Sequence, residues 1–152
     1  GQNIGAGRID RVKKGMWVTL AMGFVYTIVT GVLLLAFSDQ IIGIFTSDAD
    51  VVYYGTLAMW YFCPFYFILS IMHEMAGTIR GTGKTVPPML IILFSLCVCR
   101  VLWVQFVVPY FETIRGVYLC YPISWGIGAV LMILYAWKGK WMPEELRKKQ
   151  EE

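Results

Sequence analysis

Ile71-Met72-His73-Glu74-Met75-Ala76-Gly77-Thr78-Ile79-Arg80-Gly81-Thr82-Gly83-Lys84-Thr85-Val86-Pro87-Pro88 decides how the rest of this chain is read. It closes one long apolar helix, turns through Gly81-Thr82-Gly83, and opens the next helix at Pro87-Pro88. Glycine ends a helix because it tolerates left-handed backbone angles, and proline starts one because its missing N–H does no harm there. A histidine and a carboxylate fall inside the apolar run, and two cations lie just beyond it. An acid within a membrane-length segment is costly, so it is by default a functional residue.

Of the 152 residues 58% are hydrophobic and 15% are charged. Soluble domains run at roughly 45–50% and about 25%. The apolar excess sits in four blocks, about 16–37, 51–80, 86–109 and 116–137. Each reaches the about 20 residues needed to cross a bilayer and lacks the polar face of a soluble helix. The fold class is therefore an all-α membrane protein. Residues 1–140 form a membrane domain, with a short interfacial helix at 39–45, and 141–152 form a cytoplasmic tail with alternating charges, read as one short helix.

Other classes fall away. No basic stripe is interleaved with aromatics, so nucleic acid is not indicated. Cys63, Cys97, Cys99 and Cys120 lie in apolar blocks and read as small buried hydrophobes rather than a disulfide framework or zinc site. Gly83-Lys84-Thr85 resembles the end of a phosphate loop, but position 78 is Thr where the pattern needs Gly. No nucleophile–base pair or metal cluster is visible, so neither an enzyme nor a cofactor is expected. The chain opens inside a glycine-rich motif and reads as the C-terminal part of something longer.

Local signals refine the spans. Gly23 and Gly31 share one face of the first, which suits close approach of another helix. Ser38-Asp39 and Ser47-Asp48 read as helix caps. Pro64 is expected to kink the aromatic middle of the second span. Trp137-Lys138-Gly139-Lys140-Trp141 reads as an interfacial anchor. Arg8, Arg11, Lys13, Lys14, Arg80, Lys84, Lys138 and Lys140 fall on one side, whereas Arg115 stands alone with Asp39, Asp48, Asp50 and Glu112 on the other. The positive-inside rule makes the basic side, with both ends of the chain, cytoplasmic.

Glu74, His73, Arg100, Tyr66 and Gln105 are the candidates for a substrate or ion pathway. At 1.5 Å per residue, Glu74 lies roughly 9 Å and Arg100 roughly 20 Å inside the Arg80–Thr85 boundary, which argues against a direct ion pair. Glu74 has two readings: a solvated residue at a cavity mouth, or a protonatable group in a cation or proton pathway. Arg100 either holds an anion or cross-links helices through backbone carbonyls. His73 points about 100° away from Glu74, and the two are too few for a metal site.

Gly1-Gln2-Asn3-Ile4-Gly5-Ala6-Gly7 followed by basic residues, Ile79-Arg80-Gly81-Thr82-Gly83-Lys84 followed by Pro88-Met89, Arg100, and Gly116-Val117-Tyr118 with Tyr121-Pro122-Ile123-Ser124-Trp125 resemble the MATE (multidrug and toxic compound extrusion) family. Gln2, Asn3, Gly5, Arg80, Gly81 and Gly83 are the motif positions. The resemblance implies twelve helices in two lobes, of which this chain holds the end of the eighth and the ninth through twelfth. It implies export of cationic or amphipathic compounds in exchange for H⁺ or Na⁺, in the lipid bilayer of a prokaryotic cytoplasmic membrane, with the N-terminal lobe of the same transporter as partner. Family members often carry an acid higher in the tenth helix, where Phe67 to Ser70 has none. A lipid-linked-precursor flippase of similar architecture and a small oligomeric membrane scaffold are the alternatives.

Overall fold

The computed structural model describes residues 1–138 and Trp141. Those residues form helices and turns, with no strand among them. A helical stub α1 (Gln2–Gly5) leads through a tight turn, with Gly7 at φ 69°, into α2 (Ile9–Ala36). The first span thus starts earlier than the apolar run suggests, because Arg11, Lys13 and Lys14 belong to the same helix. The short α3 (Ser38–Gly43) follows. The second span is α4 (Ala49–Phe62), a 3-10 turn at Cys63–Phe65 and α5 (Tyr66–Gly81). The third is α6 (Val86–Leu93), a π turn at Phe94–Val98 and α7 (Cys99–Phe106), ending in a 3-10 turn at Val108–Tyr110. The fourth is α8 (Arg115–Trp137). These make four helices long and apolar enough to cross a membrane.

Local chemistry explains the breaks. Asp48 caps α4, its carboxylate accepting from the backbone N–H groups of Asp50 and Val51. Ser38 and Asp39 do not cap α3. The Ser38 hydroxyl bonds back to the Leu35 carbonyl at 3.1 Å, and Asp39 instead accepts from Thr56 at 2.7 Å, tying α3 to α4. Pro64 cannot donate to the helix ladder, and the second span narrows to a 3-10 turn there. Gly83 takes φ 91° in the turn after α5, as the Gly-x-Gly pattern requires.

The spans pack side by side in the order first, second, fourth, third: α2 lies on α5, α4 and α5 lie on α8, and α8 lies on the α6–π–α7 span. The core is built from Met72, Met75, Ala76 and Ile79 of α5 with Ala129 and Met132 of α8. Gly128 creates the space for it: a methyl group there would overlap the Met72 sulfur and lie 2.7 Å from Ser95 Oγ.

Trp141 belongs to the same core. It is 4% exposed, its Nε1 donates to the Ala136 carbonyl at 2.8 Å, and its own carbonyl is 2.9 Å from the Thr82 hydroxyl. This corrects the interfacial-anchor reading for Trp141. Trp141 packs into the core that α5 and α8 share, whereas Trp137 is 85% exposed, as expected of an anchor. The remaining tail residues expected to form a short helix lie outside the described residues.

Candidate functional site

Two polar centres sit inside the spans, on opposite sides of the second span. The first is Glu74. The apolar run of α5 places Ser70 one turn before it, and Ser70 Oγ donates to Glu74 Oε1 at 3.1 Å. The carboxylate is pressed into the notch that Gly23 leaves on α2; a methyl group at Gly23 would overlap it. Glu74 Oε2 is buried and has no hydrogen-bond partner among the described residues. The reading of Glu74 as a solvated group at a cavity mouth is therefore corrected at the level of the atom. The residue lines a cleft of about 710 Å³, but the carboxylate is tucked under α2 rather than held out in water.

The second centre is Arg100. The π turn at Phe94–Val98 inserts extra backbone just before it, and such turns re-aim the residues that follow. Arg100 Nε donates to Ser124 Oγ at 3.0 Å, and its guanidinium carbon lies 4.4 Å over the Tyr121 ring. Ser124 in turn donates to the Tyr121 carbonyl at 2.8 Å. Arg100 thus ties the third span to the fourth. The cross-link runs through a hydroxyl and an aromatic face, not through the backbone carbonyls expected. Tyr121 and Trp125 of α8 meet Phe62 and Tyr66 of the second span, with ring centroids 4.6 Å apart for Phe62–Tyr121 and 5.8 Å for Tyr66–Trp125.

The five sequence candidates separate accordingly. Glu74 and Arg100 each occupy a built site, but not the same one: Glu74 faces α2 and Arg100 faces α8. Tyr66 belongs to the aromatic seam beside Arg100. His73 is exposed, about 100° around α5 from Glu74, its Nδ1 3.1 Å from the Leu69 carbonyl. Gln105 is exposed on α7 and joins neither centre. Ser70, Ser124 and Tyr121 were missed. Ser70 was legible, since it is one turn from Glu74 on the same face. Ser124 and Tyr121 carried no signal toward Arg100, which is on another span.

A four-span helical bundle with a buried carboxylate on one seam and an arginine on another defines the class: a multi-pass membrane protein with ionisable residues inside its spans. The particular family follows from comparison. The MatE family model matches residues 1–104, and the chain belongs to that family. It is 29% identical over 131 residues to "Probable multidrug resistance protein NorM" of Thermotoga maritima, covering 86% of this chain and 27% of that protein. It is 26% identical over 148 residues to "Probable multidrug resistance protein YoeA" of Bacillus subtilis, covering 91% and 31%. It is 32% identical over 84 residues to mouse "Multidrug and toxin extrusion protein 2", covering 55% and 15%. The chain thus spans less than a third of the length of these relatives. No solved structure gives a significant match.

Proposed function

We propose that this chain is the C-terminal part of a secondary antiporter that exports cationic or amphipathic compounds in exchange for H⁺ or Na⁺. It carries out no chemical transformation and needs no cofactor. Glu74 takes the coupling ion, and the single observation that carries this is its buried, unpartnered Oε2 in the seam between two spans. The family membership and the relatives' names support the efflux reading. The N-terminal lobe of the same protein completes the substrate path. The basic ends of the spans face the cytoplasm of a prokaryote, where the positive-inside rule puts them.

Arg100 weighs against the flippase alternative. A cavity for an anionic lipid precursor would be lined by several cations, whereas Arg100 is the one cation away from the ends of the described spans, and it lies against Ser124 and Tyr121.

The test uses the full-length protein in proteoliposomes loaded with a cationic dye. Dye movement driven by an imposed pH or Na⁺ gradient, and uncoupled from that gradient by Glu74→Gln, is expected. Movement indifferent to both gradients overturns antiport; coupling retained in Glu74→Gln removes Glu74 from it.

A further inference from the structure

Arg100 has hydrogen-bonding capacity that its cross-link to the fourth span does not use. A guanidinium carries five N–H donors. The Nε–H goes to Ser124 Oγ, and the flat of the group rests on Tyr121. Nη1 and Nη2, with the other four N–H groups, have no acceptor among the described residues. Nor are they sealed in. Glu74 Oε2 is the one side-chain N or O atom among the described residues that is both buried and unpartnered. The two Nη atoms therefore face accessible space.

That space is deep. Arg100 lies fourteen residues past Val86, roughly 20 Å along the third span. Its head is held by Tyr121 and Ser124, six and nine residues into α8 from Arg115, roughly 9 and 13 Å from the start of that helix. In a hydrocarbon core about 30 Å thick, this guanidinium is not snorkelling to either surface. A charge at such depth faces protein or a water-filled cavity and takes a partner. The described residues offer no counter-charge, because Glu74, the one acid away from the span ends, is turned toward α2. The surroundings are aromatic. Phe62 stands on Tyr121 with ring centroids 4.6 Å apart, and Tyr66, Tyr118 and Tyr121 are only half-buried.

We propose that Nη1 and Nη2 of Arg100 bind the carboxylate of an amphipathic aromatic molecule whose ring lies on the aromatic seam around Tyr121. This rests on the reading of the chain as part of an exporter, and it defines the amphipathic cargo as aromatic monocarboxylates, free or as one end of a zwitterion. The two oxygens of a carboxylate match the two Nη donors side by side. One guanidinium neutralises one charge. A phosphate monoester carries nearly two at neutral pH, and the excess would be left in a poorly solvated site. Chloride matches the charge but uses neither the fork nor the rings. The Ser124 bond and the Tyr121 face fix the guanidinium beforehand, so little side-chain freedom is lost when the ligand arrives.

The test measures binding to the full-length protein in detergent by titration calorimetry. The probes are 2-naphthoate and its uncharged amide, 2-naphthamide. Naphthoate should bind about tenfold more tightly or better, the worth of a hydrogen bond between charged groups. Arg100→Gln should bind the two probes alike. Ser124→Asp, which sets a carboxylate on the same guanidinium, should also abolish the preference, so the site is tested by whichever variant folds. A preference kept in a folded variant places the anion elsewhere and overturns the proposal. Equal affinities in the parent protein would leave apolar contact alone and overturn it too. So would an absence of binding, the result if an acid elsewhere in the full-length protein already holds Arg100. Displacement of naphthoate by a modest excess of chloride would make this a halide site and overturn the carboxylate. No ion gradient enters the measurement, so the naphthoate preference can hold where the dye assay rejects antiport, and the reverse.

Discussion

Gly23 and Glu74 are complementary: the carboxylate on α5 occupies the space that a side chain on α2 would fill. The residue that lets the helices close is also the one that buries the acid. Gly23→Ala should force the Glu74 side chain out of the seam, and Gly23→Leu should separate α2 from α5. Overpacking of this kind costs about 1–3 kcal/mol. Thermal unfolding in detergent would measure the loss. A Gly23→Leu variant as stable as the parent would mean that the two helices do not meet there.

The Arg100 cross-link makes a graded prediction. Ser124→Ala removes one interhelical hydrogen bond, worth on average about 0.6 kcal/mol between membrane helices. Tyr121→Leu removes the ring under the guanidinium, worth about 0.5–2 kcal/mol. Arg100→Ala should exceed either, since it loses both and leaves a gap between α7 and α8. Arg100→Lys should recover little, because an ammonium cannot both stack flat on Tyr121 and bond Ser124 as the planar guanidinium does. A double-mutant cycle of Arg100→Ala and Ser124→Ala showing no coupling would sink this account.

Trp141 offers a third test. Truncating a buried tryptophan typically costs about 3–5 kcal/mol, so Trp141→Ala should destabilise far more than Trp137→Ala, which removes an exposed ring. Thr82→Val should cost less, about 0.5–1.5 kcal/mol for one hydrogen bond. Comparable melting temperatures for the Trp137 and Trp141 variants would show that the docking of the chain end does not hold.

Gly128→Leu should be the most damaging single change in the core, because the Met72 side chain of α5 and the Ser95 side chain of the π turn both close on that position of α8. Its folded yield should fall well below that of Gly126→Leu, one half-turn away, where a Cβ meets nothing within 4 Å. Gel filtration of both variants in detergent makes the comparison, and equal recovery would contradict the packing.

Much of this was legible before any coordinates. The cap at Asp48, the break at Pro64, the left-handed Gly83 and the seating face of Gly23 and Gly31 follow from local rules about backbone angles, donors and helical period. Glu74 and Arg100 stood out as ionisable residues inside apolar runs. Their environments did not. Ser70 shares a face with Glu74 and was within reach of a spacing argument. The Ser124–Tyr121 partnership of Arg100 was not, since nothing within the third span points to residues 121 and 124 on the fourth.

By itself the sequence determined the helical class and the four spans, because hydrocarbon thickness sets span length and buried backbone groups must bond within their own segment. Only the tertiary structure decided which way each span faces. A helix that is apolar on every side carries almost no record of its rotation, and its phase is set by where neighbouring side chains interlock. That is why Glu74 came to rest on Gly23, why Arg100 turned to Ser124 after the π turn, and why Trp141 went into the core while Trp137 stayed outside.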